Sequence, residues 1–196
     1  MPRIFLFDPV ERFVVGTVGI PGERTFFIQA RTGTRLVSVS LEKAQVAAIA
    51  DRVLQILREI RLSEPLTVFE RAAYDDAPLE NPIDEEFRVG VIGLAYVSDR
   101  RLIEIDLQAI ADSDNADDEL LEIDTSSDQD ILRILMTLGY AESFAKRANT
   151  VVAAGRAPCP FCGGPIDPNG HLCPRSNGYR RRVRQVSRRL SKIWLI

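Results

Sequence analysis

The chain is poor in the side chains that most often do chemistry. Its 196 residues include one histidine, three cysteines and one tryptophan. Residues 1–155 contain no histidine and no cysteine at all, which removes the usual general base and the thiolate nucleophile from four-fifths of the chain. No nucleophile elbow, phosphate-binding loop or dinucleotide fingerprint occurs there. Three cysteines are too few for a disulfide framework. The apolar run at the start, Ile4-Phe-Leu-Phe7, stops at Asp8, well short of a secretory signal. Nowhere does the chain approach the roughly 18–20 apolar residues that span a bilayer. These absences point to a cytoplasmic protein without a transmembrane segment, kept in a reducing compartment.

Acid and base are unevenly distributed. The formal net charge is -3, but residues 1–155 carry 16 Lys/Arg against 27 Asp/Glu, and residues 156–196 carry 9 against 1. An acidic body of -11 is therefore followed by a basic C-terminal piece of +8, a change that marks a change of task along the chain.

The body reads as α+β. Ile4–Phe7, Arg12–Val18, Thr25–Gln29 and Arg35–Val39 are rich in β-branched and aromatic residues and are separated by Asp8-Pro9, Pro21-Gly22 and Thr32-Gly33-Thr34, the pattern of an antiparallel meander. Ser40 reads as a helix N-cap, with apolar residues at 46, 49, 50, 53, 54, 57 and 60 on one helical face and an end near Ser63, before Pro65. Leu66–Phe69, Phe87–Val97 and Leu102–Ile110 read as further strands, with Leu120–Ile123 as an edge strand. Residues 75–86, with six acids and two prolines, and 112–130, with nine acids and no base, read as loops. Asp112-Ser-Asp114-Asn-Ala116 opens like a calcium loop but lacks an oxygen ligand at 116 and a glycine at 117.

Ile131–Met136 is ambiguous by periodicity. Ser40-Leu41-x-x-Ala44-x-x-x-Ala48 aligns with Thr137-Leu138-x-x-Ala141-x-x-x-Ala145, so both stretches read as strand, hydroxyl cap, helix. The match is equally compatible with chance and with duplication of a β-β-β-β-α unit, with halves at about residues 1–62 and 66–155. The expected architecture is a mostly antiparallel sheet with two long helices on one face, followed by a small ribbon over 156–179 and a basic tail over 180–196.

All three cysteines and the histidine fall in one window, Cys159-Pro-Phe-Cys162-Gly-Gly-Pro-Ile-Asp-Pro-Asn-Gly-His171-Leu-Cys173. Cys-x-x-Cys followed by Gly163 forms a tight knuckle that aims two sulfurs at one point. Turn residues reverse the chain, and His171 and Cys173, two apart, share one side of an extended segment. Cys159, Cys162, His171 and Cys173 are thus candidate ligands of one tetrahedral Zn²⁺. A set of four protein ligands closes the site, which makes the metal structural, with no cofactor-binding or catalytic residue implied. Three alternatives remain open: buried thiols without metal, a Cys-Pro-Phe-Cys redox dithiol, and Asp167 or water in place of His171. Against the dithiol, Gly163-Gly164-Pro165 is a poor start for the helix that such a motif needs.

This window, continued as Cys173-Pro-Arg-Ser-Asn-Gly-Tyr179, together with the opening Phe7-Asp8-Pro9 and Phe13-Val-Val-Gly-Thr17, resembles an uncharacterised, mainly actinobacterial family of unknown function, DUF3090, with a C-terminal zinc-ribbon signature. The likeness spans roughly residues 3–180 and implies the same four ligands, but no activity.

Arg180–Lys192 carries seven bases, and Val183, Val186, Leu190 and Ile193 fall at helical spacing. Such a segment can bind a phosphate backbone, an anionic membrane or an acidic partner, or dock on the chain's own acidic loops, or remain solvated. The leading functional expectation is a non-enzymatic zinc-binding adaptor with an unknown macromolecular partner and unknown oligomeric state. The alternatives are a nucleic-acid binder working through ribbon and tail, and an enzyme with a carboxylate site in the body.

Overall fold

A computed structural model describes residues 2–20, 22–111, 129–155, 158–164, 166 and 170–176. It divides into two compact units, residues 1–155 and 156–196. The expected edge strand at 120–123, the calcium-like stretch at 112–117 and the tail at 180–196 lie outside the described residues.

The first unit is α+β. Its strands are β1 (Ile4–Phe7), β2 (Arg12–Val18), β3 (Thr25–Thr32), β4 (Arg35–Leu41), β5 (Glu85–Val97), β6 (Leu102–Ala109) and β7 (Ile131–Thr137). The helices are α1 (Lys43–Ser63) and α2 (Leu138–Ala153). The strands form one sheet in the order β1-β7-β6-β5-β4-β3-β2. Two antiparallel meanders, β2-β3-β4 and β5-β6-β7, meet at a parallel β4/β5 pair, and each meander runs into a helix. Strand β5 serves both: Glu85 and Arg88 pair with β4, whereas Val89–Val97 pair with β6.

Four expectations are corrected. In a sheet that is mostly antiparallel as expected, four of its six pairings being so, β1 is not the first strand of the opening meander; it lies at the far edge, parallel to β7, with Ile4 opposite Ile131. Arg3 anchors it there, donating from its backbone N–H and its guanidinium to Asp130. Leu66–Phe69 forms no strand: Leu66 and Val68 are almost fully exposed, and Phe69 packs under the Arg61 guanidinium, 4.3 Å from the ring centre. Local β-propensity there finds no sheet edge to pair with. The second half accordingly shows three strands among the described residues, not four. Ser40 is buried within β4, and Glu42 caps α1, its N–H donating to Gln45 Oε1 at 2.8 Å. Thr137 does cap α2, its hydroxyl accepting from Tyr140 N–H.

The core lies between the sheet and the helices. Val46, Ile49, Ala50, Val53, Ile56, Leu57 and Ile60 form the buried stripe of α1, the three- and four-residue spacing that places side chains on one helical face. From α2, Ala141, Ala145 and Ala148 allow close approach, and Phe144 stacks on Phe13 with ring centres 4.5 Å apart.

Residues 64–84 cross the body without helix or strand. Gln29, buried on β3, holds this strap by imitating a backbone partner: its amide donates to Glu80 C=O at 2.9 Å and accepts from Glu80 N–H at 2.8 Å. Two glycines make room for it. A Cβ on Gly139 would fall 1.5 Å from Glu70 O, and one on Gly16 would meet Leu79 Cγ at 2.6 Å.

Arg147 of α2 ties strap, helix and edge strand together. Its Nε donates to Val15 C=O on β2 at 2.8 Å, Nη1 to Asp75 C=O and carboxylate, and Nη2 to Ala77 C=O at 2.8 Å. Nearby, Phe13 N–H donates to Tyr140 Oη at 2.8 Å. Backbone groups of edge strand β2 are thus engaged by α2, which protects it from pairing with another chain. Arg12 braces the strap from β2, donating to Asp75, Glu80, Ala77 C=O and Pro78 C=O.

Replacing Arg147 with Met removes the donor to Val15 C=O and Asp75 C=O, while Arg12 still serves the Asp75 carboxylate and Ala77 C=O, and a buried acceptor left unmet costs about 1–3 kcal/mol. Urea unfolding of Arg147→Met is expected to show a loss of that order; an unchanged midpoint contradicts the clamp. The Arg12 guanidinium hydrogen-bonded to Asp75 holds that carboxyl below its ordinary value. A lowered folded-state value adds stability that is full above the ordinary carboxylate range and lost as pH falls through the folded value. Asp75→Asn should therefore lower stability at neutral pH and flatten its decline in acid. Parallel pH–stability curves for the two proteins would contradict this role.

Candidate metal centre

The described residues of the second unit are held by turns. Cys159 N–H donates to Gly164 C=O at 2.7 Å and Gly163 N–H to Cys159 C=O at 2.8 Å, closing the chain tightly around Pro160-Phe161. Gly163 has φ +74°, the left-handed region that glycine enters without a Cβ clash. A second turn follows Cys173, where Ser176 N–H donates to Cys173 C=O at 3.1 Å. Arg175 joins the two by donating to Phe161 C=O at 2.9 Å.

The four residues singled out from sequence come together here. The three sulfurs of Cys159, Cys162 and Cys173 and a ring nitrogen of His171 all lie within 4.8 Å of one another, close enough to hold a metal ion. Cys159 Sγ is 3.8 Å from Cys173 Sγ, and Cys162 Sγ is 3.3 Å from His171 Nε2. A tetrahedral ion with metal–sulfur bonds of about 2.3 Å, the zinc value, spaces its sulfurs about 3.8 Å apart. The donors therefore fit such an ion. Cys159 and Cys173 are buried while Leu172 is 91% exposed, so Leu172 faces away from the cluster although residues 171–173 form no strand.

Two features escaped the sequence reading. Gly164 N–H donates to Cys162 Sγ at 3.4 Å and Ser176 N–H to Cys173 Sγ at 3.3 Å. Such N–H···S bonds orient the sulfurs and stabilise their charge. A readable signal existed, since Cys173-Pro-Arg-Ser176 repeats the Cys-Pro turn opening of Cys159-Pro-Phe-Cys162.

Cys159 and Cys162 do not ionise independently. The backbone N–H of Cys162, helped by that of Phe161, pulls the Cys159 thiol below its ordinary value. At Cys162 the Gly164 N–H favours the thiolate, but burial and the competing sulfurs of Cys159 and Cys173 raise the thiol overall. Crowded sulfurs resist becoming anions together unless a cation joins them.

In the body, an open cleft of about 390 Å³ lies between the strap and α2, lined by Glu70, Arg71, Tyr74, Glu142, Ser143 and Lys146 among others. Lys146 and Arg61 hold the Glu142 carboxyl below its ordinary value. Among the described residues every displaced carboxyl, Asp8, Asp75, Asp130 and Glu142, is displaced downward by basic partners. A general acid working near neutral pH needs the opposite displacement.

No helix among the described residues is long and apolar enough to cross a membrane. Neither the curated proteins nor the solved structures contain a match to the chain. A family model described as "Protein of unknown function (DUF3090)" matches residues 5–173, a span that takes in the body and all four clustered donors, and the chain belongs to that family.

Proposed function

We propose that this chain is a non-enzymatic zinc protein, an adaptor in which Cys159, Cys162, His171 and Cys173 hold one structural Zn²⁺. The observation that carries this reading is the convergence of three sulfurs and one imidazole nitrogen within 4.8 Å. Soft sulfur donors with one imidazole suit zinc over magnesium or calcium. Four protein donors leave no coordination position for water or substrate, so the ion's work is mechanical. The ligand unit is too small to bury a core of its own, and metal binding supplies the missing folding free energy, about 10–16 kcal/mol in zinc-finger peptides.

The adaptor role draws support from what the metal unit leaves in solvent. Phe161, between the first two ligands, is 64% exposed, and Leu172, between the last two, is 91% exposed. A unit that presents apolar side chains beside its ligands suits contact with a macromolecular partner. Free thiols throughout fit a reducing cytoplasmic setting.

Purified under reducing conditions, the protein is expected to carry about one zinc per chain. Hydrogen exchange on Cys162→Ser should show residues 158–176 losing protection while residues 2–111 keep theirs. Absence of zinc, with all three thiols titrating freely, contradicts the reading. A β-branched side chain at Gly163 must occupy a left-handed conformation costing about 1–2 kcal/mol, so Gly163→Val should weaken zinc about tenfold in competition with a chelator. Equal affinity would show that the knuckle does not set ligand geometry.

A further inference from the structure

We propose that the metal unit is also a redox-controlled one, in which Cys159 and Cys173 join as a disulfide under a peroxide oxidant and thereby expel the ion. The inference rests on the zinc reading and concerns the regulation of the same site. It starts from an asymmetry among the three thiols. Cys159 and Cys173 face each other with sulfurs 3.8 Å apart, whereas the sulfur of Cys162 is set against His171 Nε2 at 3.3 Å and takes the Gly164 N–H. All four donors lie within 4.8 Å of one another, and what sets Cys162 apart is its close approach to the imidazole.

Each member of the Cys159–Cys173 pair is held by bonds that do not involve a metal. Cys159 is fixed by its exchange of backbone bonds with Gly163 and Gly164, and Cys173 by the Ser176 N–H on its carbonyl and sulfur. Arg175 spans the two turns through Phe161 C=O. These restraints set both sulfurs facing each other in the folded unit, from which the oxidation starts. Closing 3.8 Å to a disulfide bond of about 2.05 Å is a small movement of two side chains. A bond between Cys159 and Cys162 would close only the knuckle; one between Cys159 and Cys173 replaces the link that the metal makes between the two turns.

The chemistry balances with hydrogen peroxide as the oxidant. One thiolate of the pair attacks a peroxide oxygen; the O–O bond breaks, a sulfenic acid forms, and hydroxide leaves. The second thiolate attacks that sulfur, the S–S bond forms, and a second hydroxide leaves. Two electrons pass from the sulfurs to peroxide, and the two hydroxides take protons from solvent to give water. Cys162 and His171 remain as two donors, too few for a tetrahedral zinc site, so the ion is released. A thiol reductant reverses the exchange and restores the full donor set.

The test uses the full chain loaded with zinc and free of excess reductant. Peroxide is added while a chromogenic chelator reports free zinc, and peptides are then mapped by mass spectrometry. The expected result is release of one zinc per chain, a crosslinked peptide pair containing Cys159 and Cys173, one alkylatable thiol at Cys162, and recovery of zinc binding after dithiothreitol. Cys173→Ser should form no crosslink. Zinc retained under peroxide, zinc released with a Cys159–Cys162 bond, or zinc released with sulfinic acids and no crosslink each overturns the switch and leaves the metal reading standing. A chain that never carries zinc overturns both.

Discussion

A buried guanidinium holds the body together. Arg147 leaves α2, passes beside the edge strand and reaches the strap, donating to Val15, Asp75 and Ala77. Burial works against its charge and lowers its pKa, so its place depends on those acceptors being where they are. The dependence is mutual. Val15 C=O belongs to an edge strand, the Asp75 and Ala77 carbonyls belong to a segment without regular structure, and none has a sheet partner of its own. One side chain thus serves three elements, sharing the Asp75 carboxylate and Ala77 C=O with Arg12. The Gln29–Glu80 exchange and the space beside Gly16 and Gly139 extend the same arrangement along the strap.

The metal unit solves the opposite problem. Where the body has apolar surface to bury, the described residues of the small unit have turns, exposed Phe161 and Leu172, and three sulfurs in one place. Backbone N–H groups aimed at Cys162 and Cys173 partly offset the crowding. The restraint that the body draws from packing, the small unit is proposed to draw from zinc. The same economy makes the small unit sensitive. Chemistry that changes two sulfurs changes its whole framework, whereas the body has no cysteine to modify.

Legibility from sequence followed the range of the forces. Of the α1 stripe read at residues 46, 49, 50, 53, 54, 57 and 60, all but the half-buried Leu54 are buried, because a helix is set by neighbours three and four residues apart. The four-donor window was readable because ligand chemistry restricts residue type and spacing together. Pairing of β1 with β7 was not, since 127 residues separate Ile4 from Ile131 and nothing local in Ile-Phe-Leu-Phe distinguishes one edge of a sheet from the other. Leu66–Phe69 has strand composition and no strand: Leu66 and Val68 stand in solvent and Phe69 packs against Arg61. Ser40 failed as a cap for a related reason: β4 pairing continues through Leu41 and delays the helix to Lys43. The strap's bonds to Arg12, Gln29 and Arg147 left no periodic trace, being single side chains reaching across tertiary space.

The central claim is that three sulfurs and one imidazole close around a single ion. X-ray absorption at the zinc edge on the purified protein is the decisive test. The account predicts a four-coordinate spectrum with three sulfur neighbours at about 2.3 Å and one nitrogen at about 2.0–2.1 Å. A first shell of oxygen and nitrogen only, or one with an additional exchangeable water, would contradict it.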